Sequence, residues 1–152
     1  MIECGPGGTM SDTSSKPSRS KGRILIVDAD PALRAAFEDV LGDEGYDVEC
    51  ASDVDEGRRA VRARAPYIII LDLGRHQQTS IEAWLNDLQR FRGGVFLTST
   101  DRRDVAFAER FGLPFLRKPF DLAEFLALVD QQSEEPTRPS QRMPTAPPRG
   151  QS

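Results

Sequence analysis

Four apolar runs of this chain break off at polar residues, and that pattern leaves little choice of fold. ILIVD ends at Asp28, YIIILD at Asp72 and GVFLT at Thr98, while FLRKP carries Lys118. Each run is short and rich in branched aliphatic or phenyl side chains, with no polar residue alternating through it. A segment of this kind reads as a strand covered on both faces, the situation of a parallel sheet sandwiched between helices. Such a strand delivers one functional side chain at its carboxyl end. Two carboxylates, a hydroxyl and an ammonium gathered at the ends of four parallel strands would suit a phosphoryl group and a divalent cation.

Helical periodicity fills the intervals. Asp30 offers an N-cap and Pro31 a first helical residue. Leu33, Ala36, Phe37, Val40 and Leu41 then share one face, and Gly45 closes the helix. Tyr46, Val48 and Cys50 alternate as a second strand. Ser52 is expected to cap a helix over 52–64, stopped by Pro66, and 67–71 forms the central strand. Ile81, Trp84, Leu85 and Leu88 mark a third helix, and 95–97 a fourth strand. A helix over 101–111, a short strand over 115–117 and a helix over 121–131 complete the series. Phe107, Phe111, Phe125 and Leu128 fall at core spacing within those last helices. Five strand–helix units with short connections predict an α/β fold, with helices on both faces of one parallel sheet. In such sheets the ligand lies beyond the carboxyl ends of the strands, the edge that carries Asp28, Asp72, Thr98 and Lys118.

The chain has 152 residues, enough for one domain with a real core. Its net charge of −4 gives no strongly basic face, so nucleic acid is not an expected partner. No apolar run approaches the roughly 20 residues that span a bilayer. No apolar segment near the start reads as a secretory signal, and a cytoplasmic protein is expected. Cys4 and Cys50 do not make a disulfide framework, and Cys50 is expected as a small buried apolar residue. Residues 1–22 and 133–152 are polar and rich in Gly, Ser or Pro. Both are expected to be disordered tails flanking a domain at 23–132, with Met10 an alternative start. Pro144, Pro147 and Pro148 read as part of a floppy tail, and the arginines from Arg58 to Arg64 as a solvated helix face. His76, the single histidine, is expected on a solvent-facing loop.

The segments ILIVDADPALR, YIIILDLG, VFLTST and FLRKPFD resemble, in order and spacing, the signature segments of the response-regulator receiver domain of two-component signalling. The resemblance covers residues 23–132. It implies a flavodoxin-like (βα)5 doubly wound sheet with strand order 2-1-3-4-5. It also implies that Asp72 accepts a phosphoryl group from a sensor histidine kinase or a histidine phosphotransfer protein. Lys118 would contact the phosphoryl oxygens, Thr98 would be the switch hydroxyl, and Phe115 falls near the switch aromatic position, with core packing of the last strand an equal explanation. Asp28, Asp72 and the backbone carbonyl of Gly74 would bind Mg²⁺, and the Lys118–Pro119 bond would be cis. Such a domain is not an enzyme beyond promoting its own phosphorylation and dephosphorylation. Output would pass to a protein target or a homodimer through the face formed by 101–111, 115–117 and 121–131. With only a short polar segment after the last helix, a stand-alone receiver of a phosphorelay is the expected form.

Two features depart from the family. The residue after Asp28 is Ala29, where the family carries a second acidic metal ligand, and Asp30 reads as a helix cap. The loop after Asp72 runs Arg75, His76, Gln77, Gln78, Thr79, Ser80. These departures weaken the expected Mg²⁺ site and raise an alternative, a pseudo-receiver acting as a phosphorylation-independent binding module. A flavin or nucleotide enzyme of similar fold would need a Gly-rich loop after the first strand, and DADPALR supplies none.

Overall fold

A computed structural model describes residues 20–74 and 78–140. His76 lies outside the described residues. The element order is β1 (Arg23–Val27), α1 (Pro31–Asp43), β2 (Asp47–Ala51), α2 (Val54–Ala63), β3 (Ile68–Asp72), α3 (Gln78–Asp87), β4 (Gly94–Ser99), α4 (Val105–Arg110), β5 (Phe115–Arg117) and α5 (Leu122–Glu134). The five strands are parallel and ordered β2-β1-β3-β4-β5. This is the flavodoxin-like arrangement that the resemblance implied.

Alternation along the buried strands divides the core into two layers. Leu25, Val27, Ile69, Leu71, Val95 and Leu97 face α2, α3 and α4, where Trp84, Leu85, Phe107 and Phe111 meet them. Ile24, Ile26, Ile68, Ile70 and Phe96 point to the other side, against Phe37, Leu41, Phe125 and Val129 of α1 and α5. Phe37 stacks on Phe125 with ring centroids 4.5 Å apart, joining the two helices of that layer. Close packing also fixes the first layer, because a Cβ on Gly57 of α2 would lie 2.8 Å from the Trp84 ring and 3.0 Å from Val27. No helix among the described residues is long and apolar enough to cross a membrane.

Several local expectations are corrected. The cap of α2 is Asp53, which accepts the Glu56 N–H at 2.8 Å. Ser52 instead binds the Glu56 carboxylate through both its N–H and its hydroxyl. The expected helix over 101–111 is shorter and begins as a 3-10 turn, Arg102–Asp104. Ser99 Oγ draws that turn tight by donating to the Asp104 carboxylate at 2.6 Å while accepting the Asp101 N–H at 3.0 Å. Cys50 is half-buried and disulfide-bonded, not a buried free thiol. It sits on β2, an edge strand with one open flank. The chain's other cysteine, Cys4, lies outside the described residues.

The domain also extends past its expected limits. Lys21 N–H donates to the Gly45 carbonyl, and the Gly22 carbonyl accepts from Asp47, so pairing with the β2 end starts before Arg23. At the other end α5 continues to Glu134, and residues 135–140 form a strap across the amino-terminal end of the sheet. Its Thr137 carbonyl accepts the Val95 N–H at 2.9 Å, and Ser140 donates to the Phe111 carbonyl at 2.9 Å. The buried Gln132 amide both accepts from Thr137 N–H and donates to Thr137 Oγ1. Composition marked this stretch as unable to bury itself; hydrogen bonds to Val95, Phe111 and Gln132 hold it, and Pro139 is buried. Tyr67 donates its hydroxyl to the Ser133 carbonyl, and Tyr46 shares a hydrogen bond with Ser133 Oγ at 2.8 Å.

Candidate functional site

Sheet register brings the strand-end residues to one place. Asp72 is the last residue of β3 and pairs with Thr98 near the end of β4, while Val27 of β1 pairs with Leu71. Asp28 follows Val27, and its N–H is held by the Ala51 carbonyl. Lys118 follows β5, anchored by donation of its N–H to the Ser99 carbonyl at 2.7 Å. The next peptide bond, Lys118–Pro119, is cis.

The side chains converge accordingly. Lys118 Nζ lies 2.8 Å from Asp28 Oδ2 and 2.8 Å from Asp72 Oδ1. Thr98 Oγ1 donates to the same Asp72 oxygen at 3.0 Å. Asp72 Oδ2 accepts the Gly74 N–H at 3.0 Å, and Asp28 Oδ1 accepts the Asp30 N–H at 2.9 Å. Asp28, Asp72 and Thr98 are all buried. Isolated carboxylates there would be costly, and the ammonium between them offsets that cost. Burial alone would lower the Lys118 pKa, but its hydrogen bonds and charge contacts with Asp28 and Asp72 outweigh burial and raise it. The ammonium therefore stays charged wherever the carboxylates are.

Phe115 is half-buried on β5 and packs against the layer of α2, α3 and α4. Leu116, not Phe115, is the register partner of Thr98. Two contributors escaped sequence reasoning. Arg34 reaches back from α1 and donates to the Asp28 carbonyl at 2.6 Å, bracing the strand end. Ser99 organises the approach to α4. Neither carries a sequence signal, because an arginine on a helix and a serine at a strand end are ordinary.

A divalent cation finds a poor donor set here. Ala29 brings no side-chain oxygen, and Asp30 turns away to cap α1, accepting from Ala32 at 3.0 Å and Leu33 at 3.3 Å. Every oxygen of Asp28 and Asp72 already receives a donor, and Gly74 engages the site through its N–H. Among the described residues no group of three or more His, Cys, Asp and Glu side chains could hold a metal ion. Mg²⁺ demands octahedral oxygen ligation and dehydrates reluctantly. With Ala29 in place of a carboxylate, these residues offer a divalent cation one side-chain ligand fewer than the family pattern.

A five-stranded doubly wound sheet with an acidic pair and a lysine at its carboxyl edge defines the α/β signalling-domain class implied by the sequence. No profile of a known protein family matches the chain. It is 34% identical over 112 residues to the DNA-binding response regulator MtrA of Mycolicibacterium smegmatis, covering 70% of this chain and 48% of that protein. The chain thus spans about half the length of that relative. It superposes on a response-regulator signal receiver domain from Bermanella marisrubri with a TM-score of 0.64 and 28% identity. That match covers 75% of this chain and 98% of the other. The beryllofluoride-activated receiver domain of Klebsiella pneumoniae RstA shares the fold, with a TM-score of 0.65 at 18% identity, over 74% of this chain and 99% of that one. The chain belongs to the response-regulator receiver domains of two-component systems.

Proposed function

We propose that Asp72 accepts a phosphoryl group from a phosphohistidine of a sensor kinase or phosphotransfer protein, and that the domain then signals through protein contacts. The observation that carries this reading is the single ammonium 2.8 Å from both Asp28 and Asp72, with Thr98 on the same Asp72 oxygen. An Asp72 carboxylate oxygen forms the new O–P bond. The P–N bond to the donor imidazole breaks, and its electron pair returns to the ring nitrogen. Lys118 is placed to follow the charge onto the phosphoryl oxygens, so positioning and electrostatics do the catalysis. Thr98 would exchange its carboxylate acceptor for a phosphoryl oxygen, shifting β4 and the approach to α4.

Output through α4, β5 and α5 is supported by exposed apolar side chains there. Val105 opens α4 with 40% exposure, and Leu122 opens α5 with 51%. The beryllofluoride-activated NtrC4 receiver domain is a dimer, and a homodimer or a protein target is the partner proposed for this face.

The test is intact mass after incubation with acetyl phosphate, with and without Mg²⁺, beside Asp72→Asn. A phosphoryl adduct on the wild-type chain that the variant lacks is the expected result. No adduct, under conditions that label a control receiver, would overturn the proposal. Ala29 and the fully engaged carboxylates favour a second reading, a binding module that works without phosphate. Partner binding unchanged in Asp72→Asn would establish that reading.

A further inference from the structure

The opposite end of the sheet carries a second polar feature that the Asp72 site does not use. A cleft of about 740 Å³ is lined by Gln89, Arg90, Arg92, Pro136 and Arg138. Three arginines are among its lining residues, and no Asp or Glu is. None of the three arginines makes an ion pair among the described residues, so their charge is not offset locally. Unpaired arginines face a shared space in a chain whose net charge is −4.

Both walls of the cleft are fixed by backbone. One wall is the segment between α3 and β4, where Phe91 N–H is held by the Leu88 carbonyl and Gly94 N–H by the Tyr67 carbonyl. Gly93 is locked against Tyr67, since a Cβ there would lie 2.2 Å from the Tyr67 carbonyl oxygen. The other wall is the strap. Thr137, between Pro136 and Arg138, is bound on both sides by Gln132 and through its carbonyl by Val95. Pro139 is buried immediately beyond Arg138. The arginine side chains thus project from anchored positions, which reduces the entropy lost on binding.

We infer that this cleft binds a small soluble anion carrying two or more phosphate groups. Planar guanidinium forks match phosphate oxygens bidentately, and three of them can engage more than one phosphate. The volume falls within the range of small-molecule sites. With no aromatic side chain in the lining, nothing stacks on a base, so charge is what the cleft reads. A bound anion would bridge the α3–β4 segment and the strap, and through Ser140 it would be linked to the end of α4. The inference stands independently of Asp72 phosphorylation.

The experiment is calorimetric titration of the full chain with tripolyphosphate at constant ionic strength. Arg92→Gln/Arg138→Gln and Lys118→Ala are titrated beside it, with melting temperatures to confirm folding. Binding that weakens at least about tenfold in the arginine double variant and persists in Lys118→Ala is expected. Absence of binding, or binding that survives the arginine changes, overturns the inference. Loss in Lys118→Ala alone would move the anion to the Asp72 site and also overturn it. A parallel arm uses phosphatidylcholine vesicles with and without cardiolipin. Arginine-dependent capture by cardiolipin vesicles, with no tripolyphosphate binding, would assign the site to lipid headgroups and overturn the soluble-anion assignment.

Discussion

Lys118→Met isolates the interaction on which the candidate site is built. The substitution keeps the stem and removes the ammonium, leaving Asp28 and Asp72 buried without their shared counter-charge. Their facing oxygens lie no further apart than twice 2.8 Å, since both touch one nitrogen. At a separation of about 5 Å and an effective dielectric constant of about 20, their repulsion is roughly 3 kcal/mol. Removing one partner of a buried ion pair costs about 3–5 kcal/mol in comparable cases, and the Lys118 side chain is only 14% exposed. A loss of about 3 kcal/mol at neutral pH is therefore expected. Urea denaturation followed by Trp84, the single tryptophan and buried, reads it directly. In the Asp28→Asn background the Lys118–Asp28 attraction is already gone, and Lys118→Met should cost about 2 kcal/mol less. A single-variant cost under about 1 kcal/mol, the size of a surface pair, would refute the argument. So would an unchanged cost in the Asp28→Asn background.

Ala29→Asp should restore a carboxylate beside Asp28 and tighten Mn²⁺ binding at least about tenfold, a gain of about 1.4 kcal/mol, measured by electron paramagnetic resonance. Equal affinities would show that the missing carboxylate is not what limits the metal. Gly94→Ala would place a Cβ 2.3 Å from the Gln132 amide oxygen, evicting a buried group that holds the strap. A loss of about 1–3 kcal/mol and faster hydrogen exchange at Val95 are expected; unchanged exchange would mean the strap is not held this way. Asp101, hydrogen-bonded by the Arg103 side chain and backbone, is lowered to about 2. Its contribution to the α4 approach is complete above the unfolded value of about 3.9. That contribution is lost as pH falls through about 2, and carboxyl chemical shifts should report a midpoint there rather than near 4. For Lys118 the shift is upward, so its contribution is present below about 10.4 and lost only as pH rises through its higher folded value, a transition that Lys118→Met should lack.

Sheet and site were legible because burial on two faces leaves an unmistakable composition. ILIV and YIIIL can be little else, and a charged residue ending such a run must serve some purpose at the sheet edge. Asp28, Asp72, Thr98 and Lys118 meet as the pattern required. Ser52 and Asp53 are adjacent residues, both competent to cap, and only geometry separates them. The strap was invisible because Pro, Thr, Arg and Ser carry no burial signal, while its hydrogen bonds come from backbone groups that every sequence has and from the single side chain of Gln132. Ala29 showed that an oxygen was missing. That Asp30 could not replace it follows from its hydrogen bonds into α1.

Tyrosine hydroxyls from two different segments clasp Ser133, and this gives α5 a fulcrum. The helix is pinned near its last turn by Tyr46 and Tyr67, while its first turn begins at Asp121, whose side chain makes no capping hydrogen bond. At 1.5 Å per residue its 13 residues span about 20 Å. Ser133 to Leu122 is about 16 Å of that length, so a tilt of roughly 5° about Ser133 would carry the first turn about 1.4 Å. The far end follows Lys118 and Pro119 and is held by packing, with Phe125 stacked on Phe37 and Phe120. An adjustment at the acidic pair would thus move Leu122 only by shifting that ring stack with it, while the Tyr46 and Tyr67 contacts hold the other end.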